Sequence, residues 1–359
     1  MAESADEFEI IRTHFAPLAG SDAARALADD VAVLNAPGPL VLTTDAIVEG
    51  VHFLAQDPIE TVARKALRVN VSDLVGKGAV PEAALLTLIW PNHRPAAQIA
   101  AFADAFGRDL AQFKMALLGG DTTTTSGPLT ISVTAIGRPL GRRTPARGDA
   151  KPGDDVWLVG GEIGSAWLGL RLRQGAMTLA DLQRGRDEAA AREQSRAIAE
   201  GMPPYLTLPG ETFDAEAAWL MMTYLAPFVR IECADIVARY ARASMDVSDG
   251  LAADAAKMAE ASNVALQIEI GAIPLAIPAL RWVQTGGDVR QLIVGGDDYV
   301  VLFTAPPDAR AALAEADPDG ALRLSRIGRV VEGQGVTFVD VGGDAIAFGA
   351  RGYVHRLGC

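Results

Sequence analysis

Six times along this chain an apolar run stops at an aspartate: LADDVAV (27–33), LTTD (42–45), NVSDL (70–74), LLGGDTT (117–123), SMDVSDG (244–250) and GGDDYVV (295–301). This recurrence limits the possible folds more than any single motif does. Short apolar runs bounded by turn residues predict buried strands, and the helically spaced stretches between them predict helices. The resulting order of strand, acidic turn and helix starts again after GRRTPARGDAKPGDD (141–155), whose Gly, Pro and Arg content marks a domain boundary. A chain of 359 residues is also long for one core, so two domains are expected, 1–144 and 145–359. The polar stretch near 175–215 is expected as a peripheral insertion in the second.

In the first half the pattern predicts a strand over 41–48 with Thr-Thr-Asp in its closing turn, a helix over 59–77, a strand over 84–90 and an amphipathic helix over 95–113. Strands at 115–121, ending in glycines, and 129–137 follow. The second half begins with a strand, a glycine turn and a helix in VWLVGGEIGSAWLGLRL. A helix opened by Ser248 or Asp249 and strands at 264–270, 295–303 and 323–331 complete it. Together these elements complete an α+β pattern.

Composition removes several function classes. Net charge is −13 with a sequence pI of about 4.8, which disfavours a nucleic-acid backbone as partner. Two cysteines, Cys233 and Cys359, make no disulfide framework and suggest a reducing compartment. MAESADEFEI has neither a basic nor an apolar leader segment, and no apolar run reaches the length of a membrane span. A soluble, cytoplasmic protein without nucleic-acid or membrane partners is the expectation.

The chemistry is carried by oxygen. There is no GxxxxGK[ST] and no GxGxxG; GGEIG (160–164) is the nearest approach, and a tight strand-to-helix turn accounts for it equally well. Each aspartate taken alone has a simpler reading as a turn residue, a helix cap or a solvated side chain. If the six turns converge, their like charges repel unless cations or protons neutralise them. Oxygen ligands without a cysteine or histidine cluster specify a hard cation such as Mg²⁺, which bridges carboxylates to phosphates. The residues therefore point to a polyphosphate site carried by metal ions.

The ordered set LTTDAIVEGVHF, RKALRVNVSDLVGKGAVP, GGDTT, GDAKPGD, MDVSDGL and GGDDY resembles the thiamine-monophosphate kinase family, within the aminoimidazole ribonucleotide synthetase-like ATP-binding superfamily. The resemblance covers nearly the whole chain except about 175–215. It implies an α/β N-terminal domain joined to an α+β C-terminal domain, dimerising through the N-terminal mixed sheets, and transfer of the ATP γ-phosphate to thiamine phosphate to give thiamine diphosphate. Carried onto this sequence, it implies Mg²⁺ ligands at Asp30, Thr43, Thr44, Asp45, Asp73, Asp121, Asp246 and Asp249. Gly120, Asp121, Arg147 and Ser248 match positions that contact ATP, and His52 and Asp297 match positions near thiamine phosphate. Asp121, Asp249 and Arg147 are the implied catalytic set.

Three places depart from the family pattern. Ala26-Leu27-Ala28 stands where the family usually has Gly-Ile-Gly before its two aspartates; Asp297 is one methylene shorter than the usual glutamate, with Val300 replacing a second acid; and Ala350 replaces an aromatic residue. Because the acceptor is itself a phosphate, already anionic at pH 7, direct transfer needs no general base. Metal ions and Arg147 would supply positioning and charge neutralisation, and His52 a hydrogen bond to the acceptor. Sister readings are an aminoimidazole ribonucleotide-forming ligase, a hydrogenase-maturation protein using a C-terminal cysteine such as Cys359, and a non-catalytic nucleotide-binding regulator.

Overall fold

The computed structural model describes residues 7–28, 31–185 and 214–348. The expectations at Asp30, Ala350 and Cys359, and most of the 175–215 stretch, lie outside them. Two compact units divide the chain, Met1–Thr144 and Pro145–Cys359.

Unit 1 is built on a four-stranded mixed sheet in the order β1-β4-β2-β3, with β1 Val41–Val48, β2 Ala79–Pro91, β3 Ala116–Thr125 and β4 Thr130–Pro139. β2 and β3 run parallel, joined by helix α2 (Ala97–Gln112) in a βαβ unit; the other two pairings are antiparallel. Helix α1 (Ile59–Gly76) packs on β1, β2 and β4, and α2 packs on α1. Its start after Pro58 and its stop before Gly78, at φ 66°, follow the breakers in the sequence. Most of α1 is buried, including two cations that must find partners. Arg68 pairs with Asp109 of α2 at 2.5 Å, and Lys65 donates to the His52 carbonyl at 2.9 Å.

Two expectations change here. Thr-Thr-Asp is not a turn: β4 pairs with β1 residue by residue from Val41↔Gly137 to Val48↔Thr130, so the motif lies inside the strand. The reversal comes later, where the amides of Val51 and His52 both donate to the Val48 carbonyl. Likewise β3 does not end at its glycines, because β2 stays paired with it through Pro91↔Thr125.

Unit 2 carries a seven-stranded sheet in the order β11-β10-β7-β9-β5-β8-β6. Its strands are β5 Asp155–Val159, β6 Ser244–Asp246, β7 Ala265–Glu269, β8 Val301–Ala305, β9 Ser325–Val331, β10 Gly335–Val339 and β11 Ala345–Ile346. All neighbours are antiparallel except β7 and β10. Among its helices, α3 (Ser165–Arg173) lies against α4 (Ala215–Leu225), and α5 (Leu251–Ser262) follows β6. Close contact of α3 and α4 depends on Gly169, where a Cβ would stand 1.9 Å from the Leu220 carbonyl oxygen. Leu158, Leu251, Met258, Leu302 and Ile327 share one buried apolar cluster beneath the sheet and α5.

The expected strand over 295–303 begins only at Val301, because Asp297 and Tyr299 adopt left-handed backbone at φ 69° and 51°. The helix expected to open at Ser248 or Asp249 starts at Leu251, with Gly250 at φ 104° in the cap position. Among the described residues no helix is long and apolar enough to cross a membrane.

Candidate active site

In unit 1 the register of strand and helix brings two motifs together. The Thr43 hydroxyl donates to Asp73 Oδ2 at 2.5 Å, joining LTTD on β1 to NVSD on α1. Two residues along, the Asp45 amide donates to Asn70 Oδ1 at 2.9 Å, and Asn70 Nδ2 donates to the Ala66 carbonyl within α1. Thr44, alternating to the other face, donates to the Val133 carbonyl at 3.2 Å and accepts from Thr134 at 3.1 Å. Thr43 and Asp73 therefore form one oxygen pair, and the Thr44 hydroxyl does not join it.

The sheet register sets Asp121 elsewhere. Asp45, Val133, Leu86 and Gly120 form one row across the sheet, and Ala46, Ser132, Thr87 and Asp121 the next. β1 and β3 are opposite edges, three strand spacings apart, or about 14 Å along the sheet. Carboxylates sharing one ion stand only a few ångströms apart, so Asp45 and Asp121 would serve different ions. Asp121 is exposed. Gly120 has a structural duty of its own, since a Cβ there would fall 1.7 Å from the Leu86 carbonyl oxygen.

His52 closes the turn after β1. Its Nδ1 accepts the Val48 amide at 3.0 Å, so the neutral ring carries its proton on Nε2. The buried Lys65, bonded to the His52 carbonyl, fixes the same residue from beneath.

In unit 2 the loops MDVSDG and GGDDY are bonded backbone to backbone. The Asp297 amide donates to the Ser248 carbonyl at 2.8 Å, the Tyr299 amide to the Val247 carbonyl at 2.8 Å, and the Val247 amide to the Val300 carbonyl at 2.8 Å. Glycines make the approach possible: a Cβ on Gly296 would lie 2.4 Å from the Ser248 carbonyl oxygen, and one on Gly250 2.7 Å from that of Val294. Asp246, Ser248, Asp249 and Asp297 are thus collected on one pair of loops. Asp246 is buried in register with Val301, and the Asp297 carboxylate accepts from the Tyr299 hydroxyl at 3.2 Å.

Two further acids hold these loops. Asp254 is fully buried; its Oδ2 accepts the Ser248 and Asp249 amides at 2.9 Å each, and its Oδ1 accepts Lys257 Nζ at 2.7 Å. Lys257 also donates to Asp249 Oδ2. Burial pushes the Asp254 carboxyl up, against the pull of Lys257. Burial alone would lower Lys257, but its bonds to Asp249 and Asp254 carry it above the usual lysine range. Asp298 accepts the Gly164 amide on both oxygens, at 2.9 and 3.0 Å, and caps α3; burial drives it well above the ordinary carboxylate range, with Asp297 adding to the effect. GGEIG is thus a turn capped by an acid.

Arg147 belongs to the loop that begins unit 2. It is exposed, and its carbonyl accepts the Ser262 hydroxyl at 3.2 Å at the C-terminal end of α5. Asp249 precedes the other end of this 12-residue helix, roughly 18 Å away at 1.5 Å per residue. Arg147 and Asp249 therefore do not meet at one phosphate oxygen within unit 2.

Among the described residues no group of three His, Cys, Asp or Glu side chains is arranged to hold a metal ion alone. Mg²⁺ binds through one or two carboxylates plus substrate phosphates and water. The Thr43–Asp73 pair and the exposed Asp121 provide hard oxygen donors of that kind. Sequence reasoning missed Asp254, Asp298 and Lys257. The signal for one pair was present, since Asp254 and Lys257 are three apart at a helix start.

The AIR synthase related protein N-terminal domain model matches residues 28–138, and the corresponding C-terminal domain model matches 214–341. The thiamine-monophosphate kinase of Caulobacter vibrioides is 36% identical over 357 residues, covering 97% of this chain and 90% of the relative. The chain belongs to the thiamine-monophosphate kinase family. The crystal structure of the family member from Stenotrophomonas maltophilia superposes with a TM-score of 0.71 at 35% identity, covering 89% of this chain and 91% of that one. AaThiL complexed with AMPPCP and TMP gives a TM-score of 0.68 at 30% identity, covering 88% and 87%. The family's two-domain architecture, α/β followed by α+β, is the fold described above.

Proposed function

We propose that this protein transfers the γ-phosphate of ATP to thiamine phosphate, giving thiamine diphosphate. The observation that carries this reading is likeness to thiamine-monophosphate kinases across both units, with a relative complexed with AMPPCP and TMP among the structures it resembles. The acidic motifs support it, because they present hard oxygens and no nucleophile or base relay.

In unit 1, Asp73 with Thr43, Asp45, Asp121, Asp30 and the backbone of Thr44 would hold Mg²⁺; in unit 2, Asp246 and Asp249 would do so. Mg²⁺ when bound neutralises the facing phosphates and fixes their geometry, the main requirements of phosphoryl transfer. Gly120 and Ser248 would offer backbone to the nucleotide. Arg147, at the far end of α5, would serve the nucleotide away from the Asp249 phosphate. His52, with its proton on Nε2, donates to the acceptor phosphate, and Asp297 faces the acceptor from the glycine loop. The attacking oxygen is anionic without help, so transfer is direct and leaves no phosphoenzyme.

A homodimer contact would use the face of the unit 1 sheet that carries Leu42 and Ile136, part of which the Asp22–Leu27 segment covers. Leu42 is 61% exposed there, in a strand where Thr44 and Ala46 are exposed too. Incubation with γ-labelled ATP, Mg²⁺ and thiamine phosphate should place the label in thiamine diphosphate. Label released only as inorganic phosphate would reject the acceptor, and no nucleotide turnover would reject the kinase.

A further inference from the structure

Lys257 stands between two carboxylates that differ in every respect except charge. Asp254 is fully buried and all its bonding is internal: two backbone amides on one oxygen and the ammonium on the other. Asp249 is partly open, its side chain 32% exposed, and Lys257 reaches its Oδ2 while remaining 37% exposed itself. Leaving Asp254 would strand a buried charge, whereas leaving Asp249 returns a carboxylate to water or to another cation. The two bonds are therefore unequal, and the one to Asp249 is the exchangeable one.

We propose that Lys257 is a placeholder cation: it holds the Asp249 carboxylate in the ligand-free protein and releases it to a nucleotide-borne divalent ion, keeping its bond to Asp254. The inference rests on the reading of Asp249 as a metal ligand. In the ligand-free protein the ammonium relieves repulsion between two acids that would otherwise face each other across one turn. On binding, Asp249 exchanges a monovalent partner for a divalent one, while Asp254 and its two amides keep the SDG backbone in place. Lys257 is a positioning residue in this scheme, acting through Asp249.

The test uses the full chain with Mg²⁺ and the non-hydrolysable nucleotide AMPPCP, measured by calorimetry and by thermal shift. Lys257→Met should lower the ligand-free melting temperature yet tighten Mg²⁺·AMPPCP binding about three- to fivefold, the size of one half-exposed ion pair. Lys257→Arg should restore both values. In an Asp249→Asn background, Lys257→Met should no longer change the affinity. A purely structural lysine would lower the melting temperature with unchanged or weaker binding, and that result overturns the proposal. If Asp249→Asn alone leaves Mg²⁺·AMPPCP affinity intact, the ligand assignment of Asp249 fails first and takes the placeholder with it. Lys257→Gln, which still donates a hydrogen bond to Asp254, makes the same comparison if the methionine variant does not fold.

Discussion

Unit 1 joins Asp73 to a neutral hydroxyl, while unit 2 joins Asp249 and Asp254 to an ammonium and two amides. In unit 1 the acid lies on a regular helix beside a regular strand, and no described cation offsets it. In unit 2 Asp249 sits on a glycine-dependent loop and Asp254 in the first turn of α5, where two loop amides and Lys257 satisfy the buried acid. The difference separates two jobs that look alike in sequence. An acid left with only a hydroxyl waits for something to neutralise it; an acid that has consumed an amide pair and a lysine is holding backbone.

The comparison breaks most sharply at Asp254. Asp254→Ala removes the acceptor of two part-buried amides and leaves Lys257 with half its partners, so unfolding free energy should fall by about 3–5 kcal/mol, the cost of two amides left without a bond. Denaturant unfolding measures it, and a loss below about 1 kcal/mol would mean that the loop holds itself. Asp73→Asn should do the opposite. Removing an unneutralised charge should leave the ligand-free melting temperature unchanged or higher. Turnover should fall roughly a hundredfold, about 2.7 kcal/mol of barrier, with a matching loss of the Mg²⁺·ATP thermal shift. Equal stability losses at Asp73 and Asp254 would erase the distinction.

Much of this was legible in the sequence, and the remainder was hidden for definite reasons. Alternating and helically spaced apolar residues placed α1, α2 and β4 closely, while β2 starts five residues before the expected strand. Thr-Thr-Asp reads as a turn because its residues favour turns locally, but pairing with β4 holds them in a strand. Tertiary pairing overrode propensity there. The reverse happened at GGDDYV, where valine and tyrosine suggest a strand, and the left-handed backbone of Asp297 and Tyr299, with Gly296 against the Ser248 carbonyl, breaks it. The acids were visible as candidates but not as classes. Whether an aspartate binds a ligand or caps a loop depends on partners such as Thr43, 30 residues from Asp73, or Gly164, 134 residues from Asp298.

Asp155 extends the comparison to acid stability. It is buried, which alone would raise its pKa, yet Arg310 at 2.6 Å and Arg326 at 2.7 Å pull the carboxyl below the usual range. The folded pKa is depressed, so its stabilisation is present above the unfolded value near 3.8 and is lost as pH falls through the folded value. Asp155→Asn should cost about 2 kcal/mol at pH 7, the range of charge-assisted hydrogen bonds, and should flatten the acid limb of a melting-temperature profile. An unchanged slope below pH 4 would remove Asp155 from the acid response. In unit 1, His52→Ala should raise the apparent KM for thiamine phosphate roughly tenfold, about 1.4 kcal/mol, and that for ATP much less. Equal rises in both would reduce His52 to the turn closure it makes with Val48.

The smallest expected effect lies where unit 1 leaves the family pattern. Arg25, Ala26 and Leu27 adopt left-handed backbone at φ 50°, 55° and 54°, just before Asp29 and Asp30. Ala26 holds a conformation natural to the glycine that the pattern usually has there. A non-glycine residue in this region costs about 1–2 kcal/mol. Ala26→Gly removes that strain but adds freedom to the unfolded chain, worth about 0.4–1 kcal/mol in the other direction. The net gain should be roughly 0.5 kcal/mol, a rise of about 1–2 °C in a chain of this size. The nucleotide decides what the gain means. If glycine serves phosphate approach, Ala26→Gly should also lower the apparent KM for ATP. If the turn is only strained, melting temperature should rise alone. A fall in melting temperature would show that Ala26 is held by contacts worth more than its backbone strain, and unit 1 would then neutralise its own tension as unit 2 does its own charge.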